Sequence, residues 1–158
     1  TNRQSVPSAQ RYSQHTTIRA AAADDKKGKN SMPILRINLD DPQADKRTYA
    51  SCVTAGDFIF TSHIAGFFSD DGRLVEGTAA QTRQCILRLG HILAEAGASL
   101  EQVVKVTVYL KDIDDFTDMR DAFRELFGRG YPARMTVTSQ FVDPRCRIQM
   151  EAVAYVGE

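Results

Sequence analysis

Two charged side chains in the C-terminal third of the chain, Arg134 and Glu151, have the types and spacing to do chemistry together. Each lies in a run of alternating apolar and polar residues, 133–140 and 146–155, which is typical of a β-strand. Pro144 between the runs marks a turn, because proline presets its backbone angle and donates no ladder hydrogen bond. If the two strands form a symmetrical hairpin, Arg134 lies directly across from Glu151.

That juxtaposition predicts a carboxylate anchor beside a proton carrier. A guanidinium is a planar fork suited to a ligand carboxylate, and a glutamate next to it moves protons on and off a water molecule. The alternative is a cross-strand salt bridge worth about 0.2–1 kcal/mol. A slip of one residue in the hairpin would place Arg134 and Glu151 on opposite faces of the sheet.

The elements before this segment supply the rest of a sheet. Residues 34–39, 49–54 and 58–64 are apolar-rich runs that predict three strands. The last two are separated by Ala55-Gly56-Asp57, which favours a hairpin because glycine adopts the turn angles easily.

The clearest helix is predicted over residues 78–96. Thr78 and Gln81 fit a capping box, and Gly97 stands where a left-handed C-cap belongs. The apolar stripe comprises Thr82, Cys85, Ile86, Leu89, Ile92, Leu93 and Ala96. The polar face comprises Gln81, Gln84, Arg88, His91 and Glu95.

A further strand over residues 103–110 carries Val104, Val106, Val108 and Leu110 on one face. A second helix, capped by Asp114 or Asp115, runs to about Phe127, with Phe116, Met119, Phe123, Leu126 and Phe127 facing inward. The order of elements predicts an α+β fold, an antiparallel or mixed sheet with two helices packed on one face. The uncovered face favours a ring-like homo-oligomer.

The composition of the chain limits the classes of function that it can have. The 158 residues include twenty basic and twenty acidic side chains, a balance that argues against a broad nucleic-acid-binding surface and favours small ligands. Cys52, Cys85 and Cys146 lack paired spacing and are expected to be reduced, buried thiols. No motif predicts a Ser-His-Asp set, a metal site or a phosphate loop. No apolar run is long enough to cross a membrane.

The chain divides into a tail over residues 1–31 and one domain over 32–158. The tail contains Arg3, Arg11 and Arg19, no acid before Asp24, and too few large apolar residues for a core. It is interpreted as an expression leader, a flexible arm or an organelle targeting segment. The expected location is cytoplasmic, or mitochondrial if the tail is a native targeting segment.

Two motifs carry a family resemblance. Tyr131-Pro132-Ala133-Arg134, followed by a strand and then Met150-Glu151-Ala152-Val153-Ala154, resembles the C-terminal signature of the reactive intermediate deaminase (Rid) family. The resemblance extends from about Tyr49 to Tyr155.

The resemblance implies a chorismate mutase-like fold, an antiparallel sheet with two helices on one face. It also implies a homotrimer whose sheets form a central barrel, with ligand sites in the clefts between subunits. The implied activity is hydrolytic deamination of enamines and imines derived from amino acids, such as 2-aminoacrylate, to ammonia and a 2-oxo acid, with no cofactor and no metal.

The resemblance also assigns roles. Arg134 matches the family's carboxylate-binding arginine, Glu151 its water-activating glutamate, Tyr49 the hydroxyl that closes the site, and Ser62 a serine at the end of the second strand. Gln81, Arg83, Gly97, Lys105, Asp112, Phe116 and Phe127 fit the framework.

Three substrate-site positions depart from the family pattern. His63 stands where most deaminating members carry Gly, Thr136 where they carry Cys, and Arg120 where the second helix usually offers Asn. A histidine at position 63 blocks or reshapes the pocket, and Arg120 adds a cation that suits a dicarboxylate enamine such as 2-aminomuconate. A non-catalytic, ligand-binding or chaperone-like trimer is the alternative outside enzymes. Nuclease activity, described for some relatives, gains little support from the neutral charge balance.

Overall fold

The computed structural model describes residues 33–39 and 46–158. The tail predicted over residues 1–31 lies outside the described residues. Within them the elements are β1 (Leu35–Ile37), β2 (Cys52–Ala55), β3 (Phe58–Thr61), β4 (Ile64–Ala65), α1 (Thr78–Glu95), β5 (Val103–Leu110), α2 (Phe116–Phe127), β6 (Ala133–Thr138) and β7 (Ile148–Tyr155).

All the strands belong to one mixed sheet, and β7, the last strand, lies in its middle. The order is β1-β2-β3-β7-β5-β6, with β4 also paired to β7. The hairpin predicted between β2 and β3 is confirmed, and Gly56 supplies its turn with a φ of 58°. The α+β class with two helices and a mixed sheet is likewise confirmed.

The hairpin predicted between β6 and β7 is wrong. Strand β6 pairs in parallel with β5, and β7 pairs antiparallel with the other edge of β5. Helix α2 connects β5 to β6, and such a crossover returns the chain so that the two strands run the same way. The connection from β6 to β7, residues 139–147, exceeds the two to five residues typical of a hairpin loop and carries the chain past β5.

The edge of β7 opposite β5 is occupied by β3 and then by β4, with an irregularity between them. Phe60 pairs with Val153 and Ile64 with Met150, so residues 61–63 face only residues 151–152. One extra residue on one strand is a β-bulge. The backbone N–H of Ala152 donates to Thr61 Oγ1 at 2.9 Å, which aligns Thr61 with Ala152.

The C-terminus of α1 follows the sequence prediction closely. Gly97 has a φ of 77°, its N–H donates to the Ala94 carbonyl at 3.0 Å, and the Ala98 N–H donates to the Leu93 carbonyl at 2.8 Å. These two bonds form a Schellman motif, which ends the helix by satisfying its last carbonyls. His91 lies on the exposed side, as predicted.

The capping box predicted at the N-terminus of α1 does not form. Gly77 is the N-cap and no side chain caps the helix. The Thr78 hydroxyl instead donates to Asp115 Oδ1 at 2.6 Å. Gln81, predicted on the polar face, is only 2% exposed because its amide bonds the backbone on both sides, donating to the Val75 carbonyl and accepting from the Arg147 N–H.

Asp115 precedes α2 as predicted, but its carboxylate does not cap that helix. It accepts two hydrogen bonds from Arg147 Nη2, both 2.8 Å, besides the bond from Thr78. The buried Asp115 carboxylate therefore joins the starts of both helices to the segment that leads into β7.

Both helices cover the same face of the sheet. The core between the layers comprises the predicted apolar stripe of α1, the inward side chains Met119, Phe123 and Phe127 of α2, and alternate residues of the sheet, among them Ile59, Val106, Val108, Leu110, Ile148, Met150, Ala152 and Ala154. Val104, predicted to face inward, is exposed because the register of β5 against β7 shifts between Val103 and Lys105.

The other face of the sheet has no covering layer within the described residues. Phe58 and Phe60 are 42% and 45% exposed there, and Met135 is 57% exposed. Exposed apolar side chains on neighbouring strands form a patch of the kind that marks an interaction surface. We call this surface the open face.

The three cysteines are buried and free, as predicted. Burial raises the pKa of Cys52 to about 11, and burial also raises the pKa of Cys85 and of Cys146. Since the thiolate is the nucleophile, these side chains are poor candidates for covalent chemistry. No helix in residues 33–39 and 46–158 has the length and hydropathy of a membrane span.

Gly66, directly after β4, is expected to tolerate no side chain. A Cβ at this position would lie 2.0 Å from the backbone oxygen of Gln81 and 3.0 Å from the backbone nitrogen of Cys85, both in α1. We expect Gly66→Ala to lower the free energy of unfolding by at least about 1–3 kcal/mol, the usual cost of overpacking. Urea unfolding measures it. Gly130→Ala is the control, since a Cβ there meets no atom within 4 Å, and equal stability of the two variants would contradict this packing.

Candidate functional site

Arg134 lies on the helix side of the sheet, at its β6 edge. Its partner in the register is Val106, whose side chain is buried under the helices. The guanidinium carbon lies 5.1 Å from the ring centre of Phe123 and 5.9 Å from that of Phe116, and Nη1 donates to Met119 Sδ at 3.5 Å. Among the described residues no carboxylate pairs with Arg134, and partial burial lowers its pKa. The guanidinium therefore keeps its donors available for a ligand.

The Arg134 side chain lines a surface groove of about 310 Å³. We call it the arginine groove, and its walls are Arg120, Phe123, Arg124, Tyr131, Pro132 and Arg134. Asp121 bonds Arg120 Nε at 3.1 Å and Arg124 Nη1 at 3.2 Å. One carboxylate thus serves two guanidinium groups, while Arg134 adds a third positive charge beside aromatic rings, an arrangement that suits a planar anion.

Glu151 lies in the middle strand, on the open face. Its neighbours in β7, Met150 and Ala152, are buried under the helices, while Glu151 is exposed. The Tyr109 hydroxyl of β5 donates to Glu151 Oε1 at 3.4 Å. The negative charge of Glu151 raises the pKa of Tyr109, which keeps that hydroxyl protonated as a donor.

Arg134 and Glu151 are therefore separated within one chain, contrary to the predicted hairpin register. Strand β5 lies between them, so their backbones are two strand spacings, about 10 Å, apart. In addition, Arg134 points to the helix layer and Glu151 to the open face. One small ligand bound to a single chain does not reach both side chains.

Glu151 instead has neighbours that the sequence places far away. Thr61 is aligned with Ala152, so Ser62 and His63 share the position opposite Glu151 in the bulge between β3 and β4. A bulge commonly re-aims side chains beside a functional site.

Tyr49 joins the same group through contacts ahead of β2. Ser62 Oγ donates to the Ala50 carbonyl at 2.7 Å, and the Ser62 N–H donates to the Ser51 carbonyl at 3.0 Å. The rings of Tyr49 and His63 lie 5.0 Å apart, centre to centre. We call Tyr49, Ser62, His63 and Glu151 the bulge cluster.

The site residues predicted from the sequence thus fall into three groups, one of which is the bulge cluster. Arg134 and Arg120 line the arginine groove, whereas Thr136 lines a second groove with Phe116 and Val137. Sequence reasoning missed Tyr109, Phe123 and Arg124. The alternation of β5 put Tyr109 on the non-core face, and that was the only available signal.

No group of three or more His, Cys, Asp or Glu residues in the described part of the chain is arranged to hold a metal ion. The functional groups at the two places are the Arg134 guanidinium in the arginine groove and, in the bulge cluster, a carboxylate, two hydroxyls and an imidazole. Such groups bind an anion and move protons.

The chain is similar to several known proteins. The family model described as Endoribonuclease L-PSP matches residues 40–156. A RutC family protein of Pyrococcus abyssi is 42% identical over 108 residues, covering 68% of this chain and 85% of the relative. The human 2-iminobutanoate/2-iminopropanoate deaminase is 34% identical over 110 residues, covering 69% of this chain and 80% of the relative. The crystal structure of RidA from the Antarctic bacterium Psychrobacter sp. is 28% identical, with a TM-score of 0.66, and covers 77% of this chain and 94% of that one.

Proposed function

From the premise that this chain belongs to the Endoribonuclease L-PSP family, the Rid family of the sequence resemblance, we propose that it hydrolyses 2-imino acids to 2-oxo acids and ammonia. The observation that carries the proposal is Arg134, a guanidinium with no carboxylate partner among the described residues, lining a groove of aromatic and cationic side chains. Such a group binds the substrate carboxylate through two parallel hydrogen bonds.

The reaction needs one bound water and one proton carrier. With the carboxylate held by Arg134, the imine carbon lies near a water that Glu151 deprotonates as the C–O bond forms. The resulting carbinolamine takes a proton on nitrogen, the C–N bond breaks, and ammonia leaves a 2-oxo acid. Tyr49 closes the site, Ser62 fixes the Tyr49 segment, and Thr136 lines the second groove. No cofactor takes part in these steps.

The separation of Arg134 from Glu151 supports a homotrimer with sites between subunits. Because the two side chains lie on opposite faces of one sheet, a ligand that touches both must lie between two copies. The exposed Phe58, Phe60 and Met135 offer an apolar open face for such packing. In a closed ring each cleft takes Arg134 from one copy and Glu151 from the next.

Mixing two inactive variants tests this arrangement. We expect co-expressed Arg134→Gln and Glu151→Gln chains, purified together by different tags, to recover activity that neither has alone. Each trimer that contains both variants has one intact cleft in three, because a cleft needs Arg134 from one chain and Glu151 from its neighbour. Activity of the mixture equal to the mean of the two variants, or a stable monomer by light scattering at micromolar concentration, would contradict the proposal.

The reaction itself is tested with a coupled assay. An amino-acid oxidase or dehydratase generates the imine, and semicarbazide competes with the protein for it. Loss of trapped imine with release of ammonia supports deamination, whereas an unchanged semicarbazide yield rejects it.

A dicarboxylate imine or enamine is the second candidate substrate. Among residues 33–39 and 46–158, Asp121 is the acid that pairs with both Arg120 and Arg124, so the arginine groove has cationic donors beyond those needed for one carboxylate. Running the coupled assay with aspartate beside alanine as the imine source separates the two candidates: faster consumption of the aspartate-derived imine favours the dicarboxylate.

A further inference from the structure

The position of His63 in the sheet makes it a candidate for a role in the reaction. It lies in the bulge between β3 and β4, where it shares with Ser62 the position opposite Glu151. In a bulge two residues oppose one residue of the neighbouring strand, and neighbouring strands lie about 4.8 Å apart. The imidazole is exposed, so it is accessible to a ligand that reaches Glu151.

The His63 side chain contacts the segment that precedes β2. The His63 and Tyr49 rings pack against each other with 5.0 Å between their centres. The guanidinium carbon of Arg47 lies 6.0 Å from the centre of the Tyr49 ring. The hydrogen bond from Ser62 Oγ to the Ala50 carbonyl, 2.7 Å long, ties the two segments together. An imidazole and a carboxylate carried on neighbouring strands can act together as a proton-transfer pair on a bound ligand.

The charged and titratable groups around His63 come from four elements. They are Glu151 on β7, Tyr49 and Arg47 ahead of β2, Lys105 and Tyr109 on β5, and Arg36 on β1, which shares the open face through its register with Val53. Glu151 is the only acid among them.

We propose that His63 is a second proton carrier of the site, the acid that protonates the leaving nitrogen while Glu151 takes the proton of the attacking water. This rests on the function proposed above. The acid and base roles, which a single glutamate would perform in turn, are then divided between His63 and Glu151.

Glu151 and His63 together account for every proton that moves in the reaction. Water adds to the iminium carbon and its proton passes to Glu151, which gives a neutral carbinolamine. Protonated His63 gives its proton to the amino nitrogen, and the C–N bond breaks as the carbinolamine hydroxyl returns a proton to His63. Ammonia takes the proton from Glu151 and leaves as ammonium, so both side chains return to their starting states.

The test is the pH profile of His63→Asn, since asparagine keeps hydrogen bonding but carries no titrating proton. We expect kcat to fall about 10²-fold, as general-acid catalysis usually contributes, with KM little changed. The unaltered protein should lose kcat on the alkaline side as the imidazolium deprotonates, and His63→Asn should lack that decline. Thermal unfolding checks that the variant is folded.

His91→Asn is the matched control, because His91 is exposed on α1 and faces Asp70 at 3.9 Å, outside the bulge cluster. It should keep the rate and pH profile of the unaltered protein. An unchanged profile in His63→Asn, or faster turnover in His63→Gly, would overturn this role while leaving the proposed function intact. No turnover by the unaltered protein would overturn both.

Discussion

Replacing Glu151 with glutamine should lower kcat for a 2-imino acid by about 10² to 10⁴-fold while ligand binding survives. Glutamine keeps the shape of glutamate and can still interact with the Tyr109 hydroxyl, but it cannot accept and return a proton. Steady-state kinetics in the coupled assay measure the rate, and calorimetry with a 2-oxo acid product measures binding.

The control for that variant is Glu95→Gln, an exposed glutamate at the end of α1. It removes the same charge far from the open face and should leave kcat unchanged. Normal deamination by Glu151→Gln would remove Glu151 from the mechanism. Intact binding in both variants, with no turnover by the unaltered protein, would instead support the ligand-binding alternative.

Replacing Arg134 with lysine should reduce kcat/KM about 10- to 100-fold. Lysine makes one fewer charged hydrogen bond to the substrate carboxylate, and such a bond is worth about 1.5–3 kcal/mol. Lysine keeps the positive charge and an aliphatic stem that still packs on Phe116 and Phe123, so the fold should persist. It cannot form the two parallel bonds that a guanidinium makes with a carboxylate. The same kinetics measure the loss, with circular dichroism to check folding.

Arg124→Lys serves as the comparison within the same groove, since Arg124 already pairs with Asp121 and is not assigned to the substrate carboxylate. Its effect should be less than about threefold, below 1 kcal/mol, as for other exposed pairs. If Arg134→Lys were equally mild, Arg134 would be a packing residue on the aromatic rings of α2.

The sequence was sufficient to predict the elements but not all of their pairing. Alternation and turn residues located β2, β3, β5, β6 and β7, and Gly97 located the end of α1. The partner of β7 was wrong because alternation reports which residues share a face and carries no information about which strand lies alongside. Only the length of the connection over residues 139–147 argued against a hairpin.

The site shows the same limit at finer scale. Arg134 and Glu151 were identified by type and motif, yet their predicted contact assumed an adjacent register. The bulge that aligns His63 with Glu151 depends on one extra residue in the β3–β4 segment, which no local pattern reveals. Likewise Gln81, polar by type, is buried because backbone groups from two distant segments bond its amide.

The central position of β7 has a consequence for how the protein is made. Strands β1 to β4 form one half of the sheet and β5 with β6 the other, and hydrogen bonds join the halves only through β7. A ribosome delivers β7 after the other strands of the sheet, so a nascent chain that already contains both helices still carries two unpaired strand edges. Exposed edges and apolar surface recruit other chains, so we expect the risk of aggregation during synthesis to fall once β7 has paired.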